Sequence, residues 1–226
     1  MNELRQWLLE EAEEGYKKFS AGLIPGCDNM LGVRIPVLRR KAKEIARGDF
    51  RAFLAESEDL YFEETMIAGM VIGYARMDID ERISMFREFI PRIHNWSVND
   101  CVCATIKLKS EEYQPFWDFL MGYRESEDEF EVRVVAVMLV DHYLIPGYIG
   151  KVLAVLDSLC DEPYYASMGI AWALATAYAK FPEETLALMR GENHLSDETF
   201  NRAVQKMTES YRVSEEDKAA LRTKKK

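Results

Sequence analysis

NWSVND, residues 95–100, contains the two residues from which the fold reading starts: Trp96 and, four positions later, Asp100. Asn95 or Ser97 suits the start of a helix, and a spacing of four puts indole and carboxylate on the same helical face, one turn apart. Arg133 follows Trp96 by 37 residues, and Trp172 follows Arg133 by 39. Each of the three sits near the start of what reads as the second helix of a helical hairpin. A recurrence of this length marks a two-helix solenoid repeat, in which equivalent positions line up along one face. Trp96, Asp100, Arg133 and Trp172 are therefore expected to share a concave surface. Two indoles, a carboxylate and a guanidinium suit a substrate with an anionic backbone and a cationic, aromatic reacting group.

The pattern around these positions is helical throughout, with no convincing period-two strand and no Asn-Gly or Asp-Gly hairpin. Helices are expected near 2–20, 36–47, 49–56, 62–76, 79–93, 96–107, 111–122 and 127–143, then near 148–158, 164–180, 182–190, 197–209 and 215–222. Asp49, Asp78 and Ser110 read as caps, Ser126 with Glu129 as a capping box, and Pro91 as a bend or stop. Paired, these segments give hairpins near 49–76, 79–107, 110–143, 148–180 and 182–209. No linker rich in Pro, Gly or Ser interrupts them, so residues 1–226 are expected to form a single helical-repeat domain, with Thr223–Lys226 mobile.

Hydrophobic residues make up 48% of the chain and charged residues 30%, an ordinary globular balance. No apolar run is long enough for a bilayer, and the opening MNELRQWLLEEAEE lacks the basic start of a secretory signal. The expectation is a cytoplasmic monomer with no membrane association, its four cysteines reduced and most of them small core hydrophobes. A net charge of −10 argues against indiscriminate nucleic-acid binding. Basic residues are nevertheless concentrated in two places. Residues 32–47 carry six basic side chains against one acidic, Arg39, Arg40 and Lys43 among them. Residues 200–226 carry eight against four, including Arg202, Lys206 and Arg212. Both read first as solvated helix faces and a frayed basic tail, and both are compatible with gripping a duplex at two places.

Several chemistries are excluded. The histidines (His94, His142, His194) are not paired at metal-ligand spacing, and neither a phosphate loop nor a GxSxG nucleophile motif is present. No metal and no cofactor are expected. Each singled-out residue also has an ordinary structural use. Trp172, in GIAWALATAYA, suits packing between helices, and Asp100 suits solvent or a cap. Arg133, in FEVRVVAVMLV, needs a partner or a ligand, because an unpaired buried charge is costly.

The segments LGVRIPVLRRKAKEIA (31–46), NWSVND (95–100), VRVVAVMLV (132–140), AWALATAYAKFPEE (171–184) and QKMTESYRVSEEDK (205–218) resemble the HEAT-like-repeat DNA alkylation repair glycosylases. The resemblance runs from about residue 15 to 222. It implies an all-α fold, a right-handed α-α superhelix of HEAT-like, ARM-repeat-like units. It also implies excision of cationic N3- or N7-alkylated purines from double-stranded DNA without metal or cofactor. The family's active-site tryptophan and aspartate match Trp96 and Asp100, its anchoring arginine Arg133, and its second tryptophan Trp172. Where the family often has basic residues beside that second tryptophan, this chain has Ala166-Ser167-Met168-Gly169 before it and Ala175-Thr176 after it. The competing reading is a catalytically inactive HEAT-repeat scaffold that binds DNA or protein, and Asp100 separates the two.

Overall fold

The computed structural model describes residues 2–223, and the expected mobility of the chain end therefore falls, for Lys224–Lys226, outside the described residues. All regular structure among the described residues is helical. The α-helices are α1 (Asn2–Glu11), α2 (Glu14–Ala21), α3 (Ile35–Ile45), α4 (Phe50–Ala55), α5 (Phe62–Tyr74), α6 (Ile79–Phe89) and α7 (Trp96–Cys103). They continue with α8 (Tyr113–Met121), α9 (Glu129–Met138), α10 (Ile149–Leu156), α11 (Tyr164–Lys180), α12 (Pro182–Arg190), α13 (Asp197–Glu209) and α14 (Glu215–Arg222). In sequence, α4/α5, α6/α7, α8/α9, α10/α11 and α12/α13 fall within the five expected hairpins. The chain divides into two compact units, Met1–Phe116 and Trp117–Lys226.

In the first unit α5 packs against α3 on one side and α7 on the other, with α6 also against it. Residues 62–73 of α5 are buried all the way round, including Met66, Ile67 and Met70 at 0% exposure. Two glycines let α7 come close. A Cβ on Gly69 would press on Val102 and Phe89, and one on Gly73 would lie 2.6 Å from the Thr105 Cβ. The C-terminal carbonyls of α5 are satisfied by a buried arginine. Arg82 donates from Nη1 to the Ile72 and Gly73 carbonyls (2.6 and 3.0 Å) and from Nη2 to that of Ala75 (3.0 Å). Burial lowers the Arg82 pKa, and those carbonyls stand in for the water it has lost. At the other end of α5, the buried Glu63 carboxylate accepts the backbone N–H groups of Leu31, Gly32 and Val33. This pins the loop before α3.

That loop also breaks the continuous helix expected over 2–20. The Glu13 N–H donates to the Gly32 carbonyl at 3.1 Å, and the Glu13 carboxylate pairs with Arg34, so the chain leaves helical geometry between α1 and α2. Gly32 has φ of 99° and lies directly against Glu13 and Lys17, where a side chain has neither the space nor the conformation.

In the second unit α11 packs against α9 and α13, with α10 and α12 also in contact with it and α14 against α13. Trp117, Tyr143 and Tyr148 form an aromatic cluster with ring centroids 5.1–5.3 Å apart. The last turn of the helix expected to run to 143 is wider, a π-helical stretch over Leu139–Tyr143 that buries Tyr143 completely. Two expected caps move. The cap of α9 is Asp128, which accepts from the Phe130 and Glu131 N–H groups. Ser126 is two residues further out, bonded to Asp128 N–H and Glu131, and Glu129 turns away to the Tyr165 N–H. Ser110 lies inside a short 3-10 turn, Ser110–Glu112, whose leading Lys109 N–H is held by Glu112. Cys103 is buried, but Cys27, Cys101 and Cys160 are only half-buried, fewer core thiols than expected.

Candidate functional site

In the first unit the site residues are set by the start of α7. Asn95 caps the helix, its Oδ1 accepting the Val98 N–H at 2.9 Å, which makes Trp96 the first helical residue. The half-buried indole is anchored by Nε1–H donating to the Leu23 carbonyl at 3.0 Å. Leu23 belongs to the turn that ends α2. Trp96 thus keeps its orientation through a contact 73 residues away in sequence.

Asp100, one turn along α7, is half-buried. The Asn99 Nδ2 donates to its Oδ1 at 3.1 Å. Asn99 is 0% exposed, and its own Oδ1 is buried without a hydrogen-bond partner. A buried amide with an unmet acceptor is costly, so its retained donor bond to a carboxylate has a stake in the orientation of Asp100. Asn99 has no partner at repeat spacing in the sequence. The available signal was an amide at a position that the helical pattern assigns to the core.

Arg39 of α3 is half-buried beside Cys101, the residue after Asp100. Burial pushes the Cys101 thiol pKa up, and the Arg39 guanidinium opposes that rise. Arg39 is therefore packed near the Trp96–Asp100 helix rather than free on a solvated face. Arg40 and Lys43 are exposed, Lys43 with its ammonium 5.1 Å from the Tyr74 ring centre.

In the second unit Arg133 is 7% exposed. Its Nη1 donates to the Tyr165 carbonyl of α11 at 2.8 Å. Gly169 makes room, since a Cβ there would sit 3.2 Å from the Arg133 Cγ. The small residues before Trp172 are thus the groove in α11 across which Arg133 lies. Trp172 is 36% exposed and walls a cleft of about 390 Å³ with Ala175, Thr176, Ala179, Lys206, Glu209, Ser210 and Arg212. Cations do stand beside this tryptophan. They come from α13 and the turn after it, where inspection of the residues flanking Trp172 does not find them. Arg202 has a different use: it donates to Ser167 Oγ at 2.6 Å, pairs with Glu198 and lies over the Tyr164 ring.

The first unit thus groups Trp96 and Asp100 with Arg39 close to them, and the second groups Trp172 with Lys206 and Arg212. Among the described residues no three His, Cys, Asp or Glu side chains are placed to hold a metal ion together. Among the described residues no helix is long and apolar enough to cross a membrane. A family model described as DNA alkylation repair enzyme matches residues 1–207. No curated protein and no solved structure matches the chain.

Proposed function

Since the chain belongs to the DNA alkylation repair enzyme family, we propose that it is a monofunctional glycosylase releasing cationic N3- and N7-alkylated purines from duplex DNA. The observation that carries this reading is a carboxylate, Asp100, one helical turn from an anchored indole and held by a buried amide at 3.1 Å. A purine alkylated at N3 or N7 already bears positive charge, so it departs without a general acid. As the N-glycosidic bond breaks, its electron pair stays with the base, which becomes neutral, and positive charge develops on the deoxyribose. The Asp100 carboxylate stabilises that charge and orients the water that adds to the sugar carbon and gives up a proton. Trp96 offers its indole face to the cationic nucleoside, a contact contributing roughly 0.5–2 kcal/mol, and Trp172 is a second indole face for the DNA. Arg133 contacts a backbone phosphate through its guanidinium. Lys206 and Arg212 serve the phosphates near Trp172, and Arg39, Arg40 and Lys43 those near α3.

The deciding experiment measures release of 7-methylguanine or 3-methyladenine from methylated duplex by the purified protein and by Asp100→Asn. The substitution keeps size and hydrogen bonding and removes the charge. A lost stabilisation of roughly 3–4 kcal/mol slows base release by about 10²–10³-fold. Excision at the wild-type rate by Asp100→Asn removes Asp100 from the mechanism. Duplex binding without any base release by the wild type turns the reading toward a scaffold.

A further inference from the structure

We propose that a cleft at the C-terminal ends of α3 and α5, framed by Lys43, Arg47 and Arg76 around Tyr74, is a second binding site for the phosphodiester backbone of DNA. The inference rests on the DNA-repair reading and adds a contact surface apart from Trp96 and Asp100. The cleft has a volume of about 560 Å³, and no acidic side chain lines it. That is unusual for a chain with 39 acidic residues against 29 basic. Lys43, Arg47 and Arg76 are all exposed, and none forms an ion pair with the described residues.

Asp49 and Asp78, which flank the cleft residues in sequence, hold helix starts. Asp49 caps α4 by accepting the Ala52 N–H, Asp78 caps α6 by accepting the Glu81 N–H, and Glu81 takes up Arg51. Three like charges around one cleft repel each other, and the helix C-termini compensate only part of that. An anion that neutralises them releases the repulsion. The Lys43 ammonium lies over the Tyr74 ring at 5.1 Å, a contact that keeps its charge at the cleft.

The position separates this cleft from the reacting group. Gly69 faces Val102 and Gly73 faces Thr105, so α5 and α7 run side by side in the same direction. Trp96 is then level with the start of α5, and Tyr74 lies eleven residues further on, roughly 16 Å along the helix at about 1.5 Å per residue. A phosphate bound there belongs to a nucleotide several positions from the one being processed, or to the other strand.

The test uses the full chain and an undamaged labelled duplex, so it does not depend on catalysis. Lys43→Ala, Arg47→Ala and Arg76→Ala are each titrated by fluorescence anisotropy over a series of salt concentrations. Each variant is expected to flatten the plot of log affinity against log salt by about 0.9 and to weaken binding by up to about tenfold at 0.1 M salt. Arg76→Lys should restore the slope, and Arg51→Ala, whose guanidinium is already paired, should keep it. Wild-type slopes in all three alanine variants overturn the proposal. So does an equal loss in Arg51→Ala, which would reflect total charge alone. Inorganic pyrophosphate provides the other arm. Micromolar binding abolished by the three substitutions, with duplex slopes unchanged, would assign the cleft to a free phosphate compound and overturn the DNA assignment. A wild type that binds undamaged duplex with the expected variant slopes but releases no base defeats the glycosylase reading and leaves this site standing.

Discussion

Asn99 offers a test in which stability and activity move in opposite directions. Its amide nitrogen holds Asp100, while its oxygen is buried without a partner. Leucine has nearly the same shape and no unmet acceptor, so Asn99→Leu should leave the melting temperature unchanged or raise it. Loss of the donor removes one hold on the Asp100 carboxylate, and the single-turnover rate of base release should fall by about tenfold, roughly 1.4 kcal/mol. A variant that is both fully active and fully stable would show that Asn99 does not position Asp100. Cys27 gives a second measurement. Burial, with help from the Glu63 and Asp28 charges, pushes its thiol up to about 11. The thiolate is the reactive form, so at pH 8 this residue should be alkylated by iodoacetamide about 100-fold more slowly than a thiol of ordinary pKa. The rate should climb with pH until about 11. A plateau near pH 9, followed by peptide mass spectrometry, would contradict it.

At the scale of the element, helix boundaries followed from caps and breakers that act within a few residues. The ends of α11, α12, α13 and α14 fall where Pro182, Ser196 and Ser214 place them. Where a distant group competes, local reading failed. The break between α1 and α2 is made by a backbone bond from Glu13 to Gly32, and the α9 cap passes to Asp128 because Glu129 is drawn to Tyr165. The glycines of α5 also owe their use to a distant partner. In a single helix they read as costly gaps, yet they set the distance between α5 and α7. Gly73→Ala should destabilise the protein by about 1–3 kcal/mol through overpacking against Thr105, lowering the melting temperature by several degrees. Since α7 carries Trp96 and Asp100, base release should fall as well. An unchanged thermal transition would mean that the two helices have slack to separate.

For the whole molecule, the net charge of −10 makes duplex binding depend on a few local groups of cations. Lys206→Ala and Arg212→Ala, beside Trp172, should each lower the salt slope of duplex binding by about 0.9. Arg202→Ala should act chiefly on thermal stability, because its guanidinium joins Ser167, Glu198 and Tyr164 across two helices. If Arg202→Ala matches the other two in salt slope and melts as the wild type does, that division of roles is wrong.

The one-dimensional pattern was enough for the all-helical class and the succession of helices, because those features are local. The expected register was not met alike in the three helices: Trp96 opens α7, whereas Trp172 sits in the middle of α11. Helical spacing also placed Asp100 one turn from Trp96, because i and i+4 share a face in any α-helix. What packs around these residues was decided in three dimensions. The Leu23 carbonyl that orients Trp96, the α11 groove that receives Arg133 and the α13 lysine beside Trp172 lie tens of residues from the groups they serve. The same holds for charge. A count of basic residues treats Arg39, Lys43 and Arg202 alike. Only packing puts Arg39 beside Cys101, ties Arg202 to Ser167 and leaves Lys43 over an open cleft, because a cation's use depends on which carbonyls, carboxylates and rings the fold brings within reach.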